Sequence, residues 1–254
     1  MPRRTRYTPG TFCWVDLATP DVPAAARFYG ALFGWELREA EGYAFFLKDG
    51  AIAAGIAELQ PEQAQAGMPP SWSVYVAVDD ADAICARVEE LGGTVQTEPY
   101  AIEGQGRMAV AADQQGAVFL LWEADGFAGA EVVNEPGAWA WNDLQTTDPD
   151  AAAAFYRALF GWEIEEVPGS GGAYASIRND GRPIGGVMAA PPGVEAPYWA
   201  TYFGVDSVGA ALEHADTADG ERITGPQDVP AGRFAVAADP LGAPFSVVEG
   251  QFDD

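Results

Sequence analysis

Two aspartates in this sequence each follow a tryptophan by two residues: Asp16 follows Trp14, and Asp143 follows Trp141. A carboxylate held beside an indole in a partly dry cleft has a raised pKa, because burial disfavours its charged form. Such a group can serve as a general acid or base, for example in enolisation, dehydration or ring closure. The alternative is structural, with each aspartate accepting hydrogen bonds from backbone amides where its strand ends.

Aromatic side chains are expected to line the same clefts as the two aspartates. Alternation along a β-strand places Trp14 and Asp16 on one face together with Phe12, and Trp141 and Asp143 on one face together with Trp139. The other cleft candidates are Ser73, Tyr75 and Trp122 in the first half of the chain and Tyr202 in the second. Such a surface favours a planar hydrophobic ligand, unless the tryptophans simply fill the space as core residues.

Two further pairs of residues could touch a ligand. Tyr43 and Tyr174 could reach the clefts as hydroxyl donors, or could pack within an edge strand. Arg107 and Arg233 each follow a glycine and precede a strand. Each arginine could clamp an anionic or phenolate oxygen, or could pair with a nearby carboxylate.

The elements that position these residues occur twice in the chain. The stretch "FCWVDLATPDVPAAARFYGALFGWEL" begins at Phe12, and "WAWNDLQTTDPDAAAAFYRALFGWEI" begins at Trp139, in a register of 127 residues. Towards the end of each half the register becomes 126, as between Asp113 and Asp239. We therefore expect two domains, at residues 1–126 and 137–254, joined by a linker at residues 127–136.

Each half is predicted to contain two βαβββ modules. In the first module a strand at Phe12–Ala18 precedes a helix with Asp21 at its N-cap and Gly34 as its stop, and strands follow near Glu36–Glu39, Tyr43–Lys48 and Ala51–Glu58. The stretch "SWSVYVAVDDADAICARVEELGG" begins the same pattern again as strand and capped helix. The chain therefore has four such modules.

The motifs "D-x-x-x-A-x-x-FY-x-x-L-F-G-W" and "AAD-x-x-G-A-x-F" resemble those of the vicinal oxygen chelate superfamily, which includes glyoxalase I, bleomycin-resistance proteins and extradiol dioxygenases. The resemblance covers essentially the whole chain. It is closest to two-domain actinobacterial members, which include a mycobacterial antigen and hydroxylase-like proteins of aromatic polyketide clusters. It implies an α+β fold of two tandem domains, whose four βαβββ modules form two half-open β-barrel clefts.

The resemblance also indicates where a metal would bind. In metal-dependent members, His, Gln or Glu ligands lie near the start of a module's first strand and on its last strand. Those positions hold other residues here: Trp14, Ser73 and Leu120 in the first half, and Trp141, Ala200 and Ser246 in the second. Because His214 is the only histidine and is expected on a helix surface, we predict no catalytic metal and no cofactor.

Composition narrows the classes of partner. The formal net charge is -25, so nucleic acid and anionic membrane surfaces are excluded as expected partners. No apolar run approaches the roughly 18 residues of a transmembrane helix, and no signal peptide is recognisable. We expect a cytoplasmic protein that is a monomer or weak homodimer and binds a small aromatic molecule.

These observations lead to one expected function and two alternatives. The first is a metal-independent tailoring enzyme of secondary metabolism, a lyase or cyclase that uses a cleft aspartate in acid–base dehydration or cyclisation of an aromatic polyketide-like substrate. The second is a non-catalytic drug-binding resistance protein. The third is a metal-dependent lyase of the glyoxalase type.

Overall fold

The duplicated sequence forms two mixed β-sheets that share one strand order. A computed structural model describes residues 3–40, 42–194, 196–229 and 232–250. The first half contains β1 (Phe12–Thr19), α1 (Val22–Phe33), β2 (Glu36–Ala40), β3 (Tyr43–Lys48), β4 (Ala51–Glu58), α2 (Pro61–Gln65), β5 (Ser71–Ala77), α3 (Ala81–Glu90), β6 (Thr94–Ile102), β7 (Gly106–Ala112) and β8 (Val118–Ala124). The second half contains β9 (Trp139–Thr146), α4 (Pro149–Phe160), β10 (Glu163–Glu166), β11 (Tyr174–Asn179), β12 (Arg182–Ala189), β13 (Tyr198–Gly204), α5 (Val208–Thr217), β14 (Glu221–Arg222), β15 (Gln227–Val229), β16 (Gly232–Ala238) and β17 (Pro244–Gly250).

Each sheet joins two modules side by side. The first sheet has the order β2-β3-β4-β1-β5-β8-β7-β6, and the second has β10-β11-β12-β9-β13-β17-β16-β14 with β15 paired to β16. The modules meet where β1 pairs antiparallel with β5, and where β9 pairs antiparallel with β13. Both sheets are open rather than closed. The predicted α+β fold of four βαβββ modules in two half-open clefts is confirmed.

The first helix of each half begins and ends as the sequence predicts. The Asp21 carboxylate accepts a 2.8 Å hydrogen bond from the Ala24 amide, and Asp148 accepts one of 3.0 Å from Ala151. These caps pair amides that would otherwise lack an acceptor. Both helices end at a left-handed glycine, Gly34 in α1 and Gly161 in α4, a conformation that a residue with a Cβ adopts at a cost.

The aromatic residues of the repeated motif pack one half of the chain against the other. The Tyr29 ring of α1 lies 5.5 Å from Phe245 of β17, and the Tyr156 ring of α4 lies 5.6 Å from Phe119 of β8. The tryptophan after each helix makes a matching contact across the interface. Trp35 donates to the Gly137 carbonyl and Trp162 donates to the Gly10 carbonyl, both at 2.7 Å. The two copies therefore complete each other's packing.

The aspartate of each "AAD" motif also lies at the contact between the two halves. Asp239 accepts hydrogen bonds from the amides of Leu241 and Ala243, which closes the turn before β17. Burial raises the pKa of Tyr29 well above its usual value, and the neighbouring charge of Asp239 raises it further. In the same way, burial and the neighbouring charge of Asp113 in the first half raise the pKa of Tyr156 in the second half. These tyrosines therefore stay protonated inside the interface.

Three expectations about individual side chains were wrong. The pairing register shifts between Phe12 and Trp14, so Phe12 packs on Trp162 and Trp199 of the other half instead of sharing a cleft with Trp14. The same shift occurs opposite Trp139, which donates to Asn142 instead of facing the second cleft. These β-bulges break the two-residue alternation on which the expectation rested.

His214 is also placed differently from the expected surface position. Its ring is half-buried, and its centroid lies 5.6 Å from that of Phe28 in α1. The imidazole therefore belongs to the contact between α5 and the first half. Within the described ranges, no helix is long and apolar enough to cross a bilayer.

Candidate functional site

Asp16 is the centre of a hydrogen-bonded cluster in the first cleft. Its Oδ2 atom accepts hydrogen bonds from the Tyr75 hydroxyl at 2.7 Å and the Tyr43 hydroxyl at 3.0 Å. The Trp14 indole donates in turn to the Tyr43 oxygen at 3.1 Å. Four of the residues singled out in the sequence therefore meet at one point, on strands β1, β3 and β5. This arrangement differs from a turn cap, because the donors are side chains from neighbouring strands.

The second cleft repeats this cluster around Asp143. The Tyr174 hydroxyl donates to Asp143 Oδ1 at 2.8 Å, and the Trp141 indole donates to the same oxygen at 2.9 Å. The indole also lies 3.0 Å from the Tyr174 oxygen. Tyr202 is close enough for its hydroxyl to stabilise the Asp143 carboxylate. The same residue types thus form the same cluster in both halves.

A glycine allows each tyrosine to reach its aspartate across an intervening strand. Gly55 of β4 lies beside Asp16, and Gly186 of β12 lies beside Asp143. A Cβ atom built on Gly55 would lie 1.8 Å from the Tyr43 oxygen, and one on Gly186 would lie 2.1 Å from the Tyr174 oxygen. The tyrosine rings therefore cross the strand at the only type of residue that leaves room for them.

Burial raises the pKa of both aspartates above the usual value. For Asp143 the loss of hydration is the largest effect, and the hydrogen bonds from Tyr174, Tyr202 and Trp141 partly offset it by favouring the carboxylate. For Asp16 burial again dominates over the hydrogen bonds from Tyr75 and Tyr43. Burial also raises the pKa of Tyr174, as does the nearby Asp143 charge, so the phenol stays protonated.

The clefts differ in what lies over the tryptophan. In the first cleft the Phe127 ring lies edge-on to Trp14 with centroids 4.9 Å apart, and it also contacts Phe45 and Trp122. Trp14 is consequently only 4% exposed, whereas Trp141 in the second cleft is partly exposed. Phe127 belongs to the stretch expected to be a linker.

The two aspartates differ in exposure in the opposite sense to the tryptophans, because the more buried aspartate is in the second cleft. Asp143 is 5% exposed, whereas Asp16 is half-buried.

In the second cleft the Tyr198 hydroxyl donates to Gln145 at 3.0 Å, and this pair occupies the positions of Ser71 and Ala18 in the first cleft. The sequence reasoning did not identify Tyr198, although its place opposite Ser71 in the repeat was available as a signal.

The remaining sequence candidates lie apart from these clusters. Ser73 pairs with Asp16 across β1 and β5, and lies on the cleft side of the sheet. Arg107 is held by Asp82 at 2.7 Å and Glu123 at 3.2 Å, and Arg233 is held by Asp228 at 2.7 Å. Asp82 belongs to the first turn of α3, so Arg107 faces the helix side of the sheet. Both arginines are therefore used in local ion pairs.

A comparison with known protein families identifies the fold family. The model of the glyoxalase/bleomycin resistance protein/dioxygenase superfamily matches residues 11–121 and again residues 129–247. The chain belongs to this superfamily. The two matches correspond to the two sheets, so each half of the chain is one glyoxalase-like domain.

Relatives of similar length include proteins of mycobacteria and streptomycetes. The chain is 41% identical over 258 residues to "Putative glyoxylase CFP32" of Mycobacterium bovis, which covers 98% of both chains. It is 40% identical over 262 residues to "Anthracycline biosynthesis protein DnrV" of Streptomyces peucetius, covering 96% of this chain and 95% of the relative.

Solved structures of superfamily enzymes share the fold. The Mn(II)-bound glyoxalase from Novosphingobium aromaticivorans aligns with a TM-score of 0.67 at 17% identity, covering all of this chain and 86% of that chain. The 2,3-dioxygenase LapB from Pseudomonas sp. KL28 aligns with a TM-score of 0.66 at 14% identity, covering 97% and 94%. At this level of identity the likeness concerns the fold alone.

The donor groups of the clefts do not fit a glyoxalase-type metal. The positions at which metal-dependent superfamily members carry ligands hold Trp14, Ser73 and Leu120 in one cleft and Trp141, Ala200 and Ser246 in the other. In the part of the chain that the structure describes, no three His, Cys, Asp or Glu side chains come together in a metal-binding group. Each cleft instead offers one carboxylate already bonded to tyrosines, which is a poor set for a transition metal.

Proposed function

We propose that this protein is a metal-independent tailoring enzyme that moves protons on a planar aromatic small molecule. The observation that carries the proposal is the aspartate that accepts hydrogen bonds from tyrosine beside a tryptophan, built twice from corresponding strands. A carboxyl group with a raised pKa suits general acid–base catalysis near neutral pH. The tryptophan supplies a flat surface for an aromatic ligand.

The tyrosine is the group that a ligand would contact, since the aspartate lies behind it. Tyr174 donates its proton to Asp143 and accepts from the Trp141 indole, which leaves one lone pair of its oxygen for a ligand proton. When the Asp143 carboxylate takes the tyrosine proton, the tyrosine oxygen takes a proton from a C–H bond next to a ligand carbonyl. The C–H electron pair forms the enolate double bond, and the carbonyl oxygen carries the negative charge.

The same relay in reverse completes a dehydration or a ring closure. The protonated aspartate returns a proton through the tyrosine to a hydroxyl group on the neighbouring carbon. The C–O bond then breaks with its electron pair, and water leaves. Alternatively, the enolate attacks a second carbonyl of the same molecule, and the proton goes to the new hydroxyl. Both sequences balance without an oxidant or reductant.

The names of the relatives support an aromatic substrate. DnrV is named as an anthracycline biosynthesis protein, and a second relative, DauV from Streptomyces sp. strain C5, carries the same description at 39% identity. Anthracyclines contain fused aromatic rings. We take a polyketide-like polycyclic compound as the substrate class.

The second candidate is a binding protein that sequesters a drug without changing it. The tryptophan surfaces favour it, because stacking requires no catalytic carboxylate. Catalysis requires the carboxylates of Asp16 and Asp143, whereas binding alone persists when they are replaced by neutral amides. A metal-dependent lyase is the third alternative, and the missing donor set counts against it.

The experiment that tests the proposal measures proton exchange rather than a guessed product. The probe is 1,8-dihydroxyanthrone, a planar tricyclic ketone with an acidic methylene group, incubated without oxygen in D₂O. Chelator-treated protein should accelerate deuterium incorporation at that methylene, measured by mass spectrometry. Asp-to-Asn substitution in the active cleft should slow the exchange on the order of a hundredfold while binding of the probe persists.

Two control measurements separate the alternatives. The variant Arg233→Gln alters only the ion pair with Asp228 and should leave the exchange rate unchanged. A sequestering protein would bind the anthrone without accelerating exchange in any variant. Exchange that disappears with the chelator and returns with Mn²⁺ would instead support the lyase.

A further inference from the structure

We infer that Phe127 fills the aromatic site of the first cleft, and that a planar ligand stacks on Trp141 in the second cleft. The inference rests on the proposed function for the identity of the ligand. It adds which cleft binds the ligand and why the duplicated clefts are not equivalent.

Phe127 occupies the aromatic part of the first cleft. Its ring lies among three rings of the first cleft, those of Trp14, Phe45 and Trp122, with centroids 4.9, 5.8 and 6.0 Å away. An edge-on ring at this distance is one of the two arrangements that aromatic pairs prefer, the other being offset stacking. Phe127 therefore takes the place of a ligand on Trp14.

Hydrogen bonds fix the backbone at Phe127 and after it. The Trp122 indole donates to the Phe127 carbonyl at 2.7 Å, and the Ala130 amide donates to the Cys13 carbonyl at 2.9 Å. Gly129 has a φ of 125°, and a Cβ there would lie 2.2 Å from the Cys13 oxygen. The Tyr7 hydroxyl also donates to the Ala130 carbonyl at 2.6 Å. The segment that follows Phe127 is thus held against β1.

Matching positions of the two clefts hold side chains of different size. Strand register equates Phe45 with Ser176, Leu120 with Ser246, and Trp122 with Val248. Each replacement exchanges a large side chain of the first cleft for a smaller one in the second. Among the described residues, no aromatic ring contact is formed by Trp141, whose side chain is partly exposed. No aromatic side chain of the described residues therefore covers the indole of Trp141 in the second cleft.

The polar groups beside Trp141 indicate the ligand chemistry. The half-buried Tyr174 hydroxyl lies at the edge of the Trp141 ring, beside the indole N–H, and the Tyr198–Gln145 pair lies further along the same sheet face. A ligand stacked on the indole could thus meet phenolic hydroxyls at its edge. The fitting class is a flat polycyclic compound with carbonyl or hydroxyl oxygens on its rim and no anionic group, given the net charge of -25.

The experiment uses the indole N–H signals of Trp14 and Trp141 as separate reporters in the ¹⁵N-labelled full-length protein. The variants Trp14→Phe and Trp141→Phe assign the two signals. Titration with 1,8-dihydroxyanthraquinone should shift the Trp141 signal, leave the Trp14 signal in place and saturate at one ligand per chain. Trp141→Phe should weaken binding about tenfold, whereas Trp14→Phe should not.

The matching test removes the internal occupant. Toluene has the shape of a phenylalanine side chain, whose ring Phe127→Ala removes, and it should shift the Trp14 signal in that variant but not in the wild type. Phe160→Ala is the control, because it truncates a half-buried phenylalanine that packs on Phe119 and Trp162, away from both clefts. It should leave the Trp14 signal unresponsive to toluene.

Several results would overturn the inference. A shift of Trp14 instead of Trp141 in the wild type would assign the ligand to the first cleft and leave the proposed function intact. If the anthraquinone shifts neither signal, the result counts against ligand binding in the second cleft and against the proposed function. If toluene still shifts the Trp14 signal in Phe127→Ala, the role of Phe127 in filling the first cleft is retained. Phe252 follows the last strand outside the described residues. If the anthraquinone shifts Trp141 only in Phe252→Ala, the clefts are equivalent and the inference is wrong.

Discussion

Tyr174 reaches Asp143 only because Gly186 lies between them. The tyrosine oxygen is 2.8 Å from the carboxylate, and a Cβ on the glycine would come within 2.1 Å of that oxygen and 2.5 Å of Asp143 Oδ1. The cluster therefore depends on three strands at once, β9, β11 and β12. A single methyl group is enough to separate its members.

Gly186→Ala should accordingly disrupt the cluster without changing the sheet order. We expect a loss of about 1–3 kcal/mol of unfolding free energy, since the added methyl group must displace the tyrosine ring. Denaturant unfolding measures this loss. Gly225→Ala is the matched control, because a Cβ there meets nothing within 4 Å, and it should be nearly neutral. In a Tyr174→Ala background the effect of Gly186→Ala should shrink, and equal losses in both backgrounds would contradict the account.

Asp143→Asn should change how stability depends on pH. Because burial raises the pKa of Asp143 in the folded state, the native protein binds this proton more tightly than the unfolded chain does. The wild type should therefore lose stability relative to the variant as pH rises from about 3.9 towards the raised pKa, with a limiting slope of about 1.4 kcal/mol per pH unit. Denaturation of both proteins across this range gives the difference curve. A flat curve, or one of opposite slope, is the contrary result.

The reciprocal tryptophan contacts predict a symmetric pair of variants. Trp35→Phe removes the donor to the Gly137 carbonyl, and Trp162→Phe removes the donor to the Gly10 carbonyl. Each should lower the unfolding free energy by about 1–3 kcal/mol, because a carbonyl in the interface loses its partner. Both should retain a single unfolding transition in denaturant. A large loss in one variant and none in the other would argue against mutual packing of the halves.

Metal ions should have no specific effect on stability. A metal that binds the native state raises the melting temperature, and the rise is larger when the metal binds more tightly. Because the clefts lack a donor set, chelator treatment followed by Mn²⁺, Ni²⁺ or Zn²⁺ should leave the melting temperature of the wild type unchanged. The same ions added to Asp143→Asn give the control for non-specific binding to the acidic surface. A saturable rise in the wild type that is lost in the variant would point to a metal at Asp143.

The sequence predicts the fold well because its signals are local. Asp21 and Gly34 mark the ends of a helix by short-range chemistry, and the repeat reveals the duplicated architecture. The register shift after Phe12 is not visible in this way, because a bulge depends on how two strands pair. The alternation rule consequently misplaced Phe12 and Trp139.

The candidate site shows the same division between local and long-range information. Trp14, Asp16, Tyr43 and Tyr75 are each recognisable as polar or aromatic residues on strands. Their hydrogen bonds require strands far apart in the chain to become neighbours. Phe127 was overlooked because it lies in a stretch of small residues that reads as a linker, although a lone phenylalanine there was a usable signal.

The central claim is that the protein binds a planar aromatic molecule and works without a metal. Native mass spectrometry of the untagged protein, purified from its own organism, tests this claim most directly because it weighs any bound metal or metabolite together with the intact chain. The account predicts a metal-free chain that carries one aromatic molecule. A stoichiometric zinc, nickel, manganese or iron ion would contradict it.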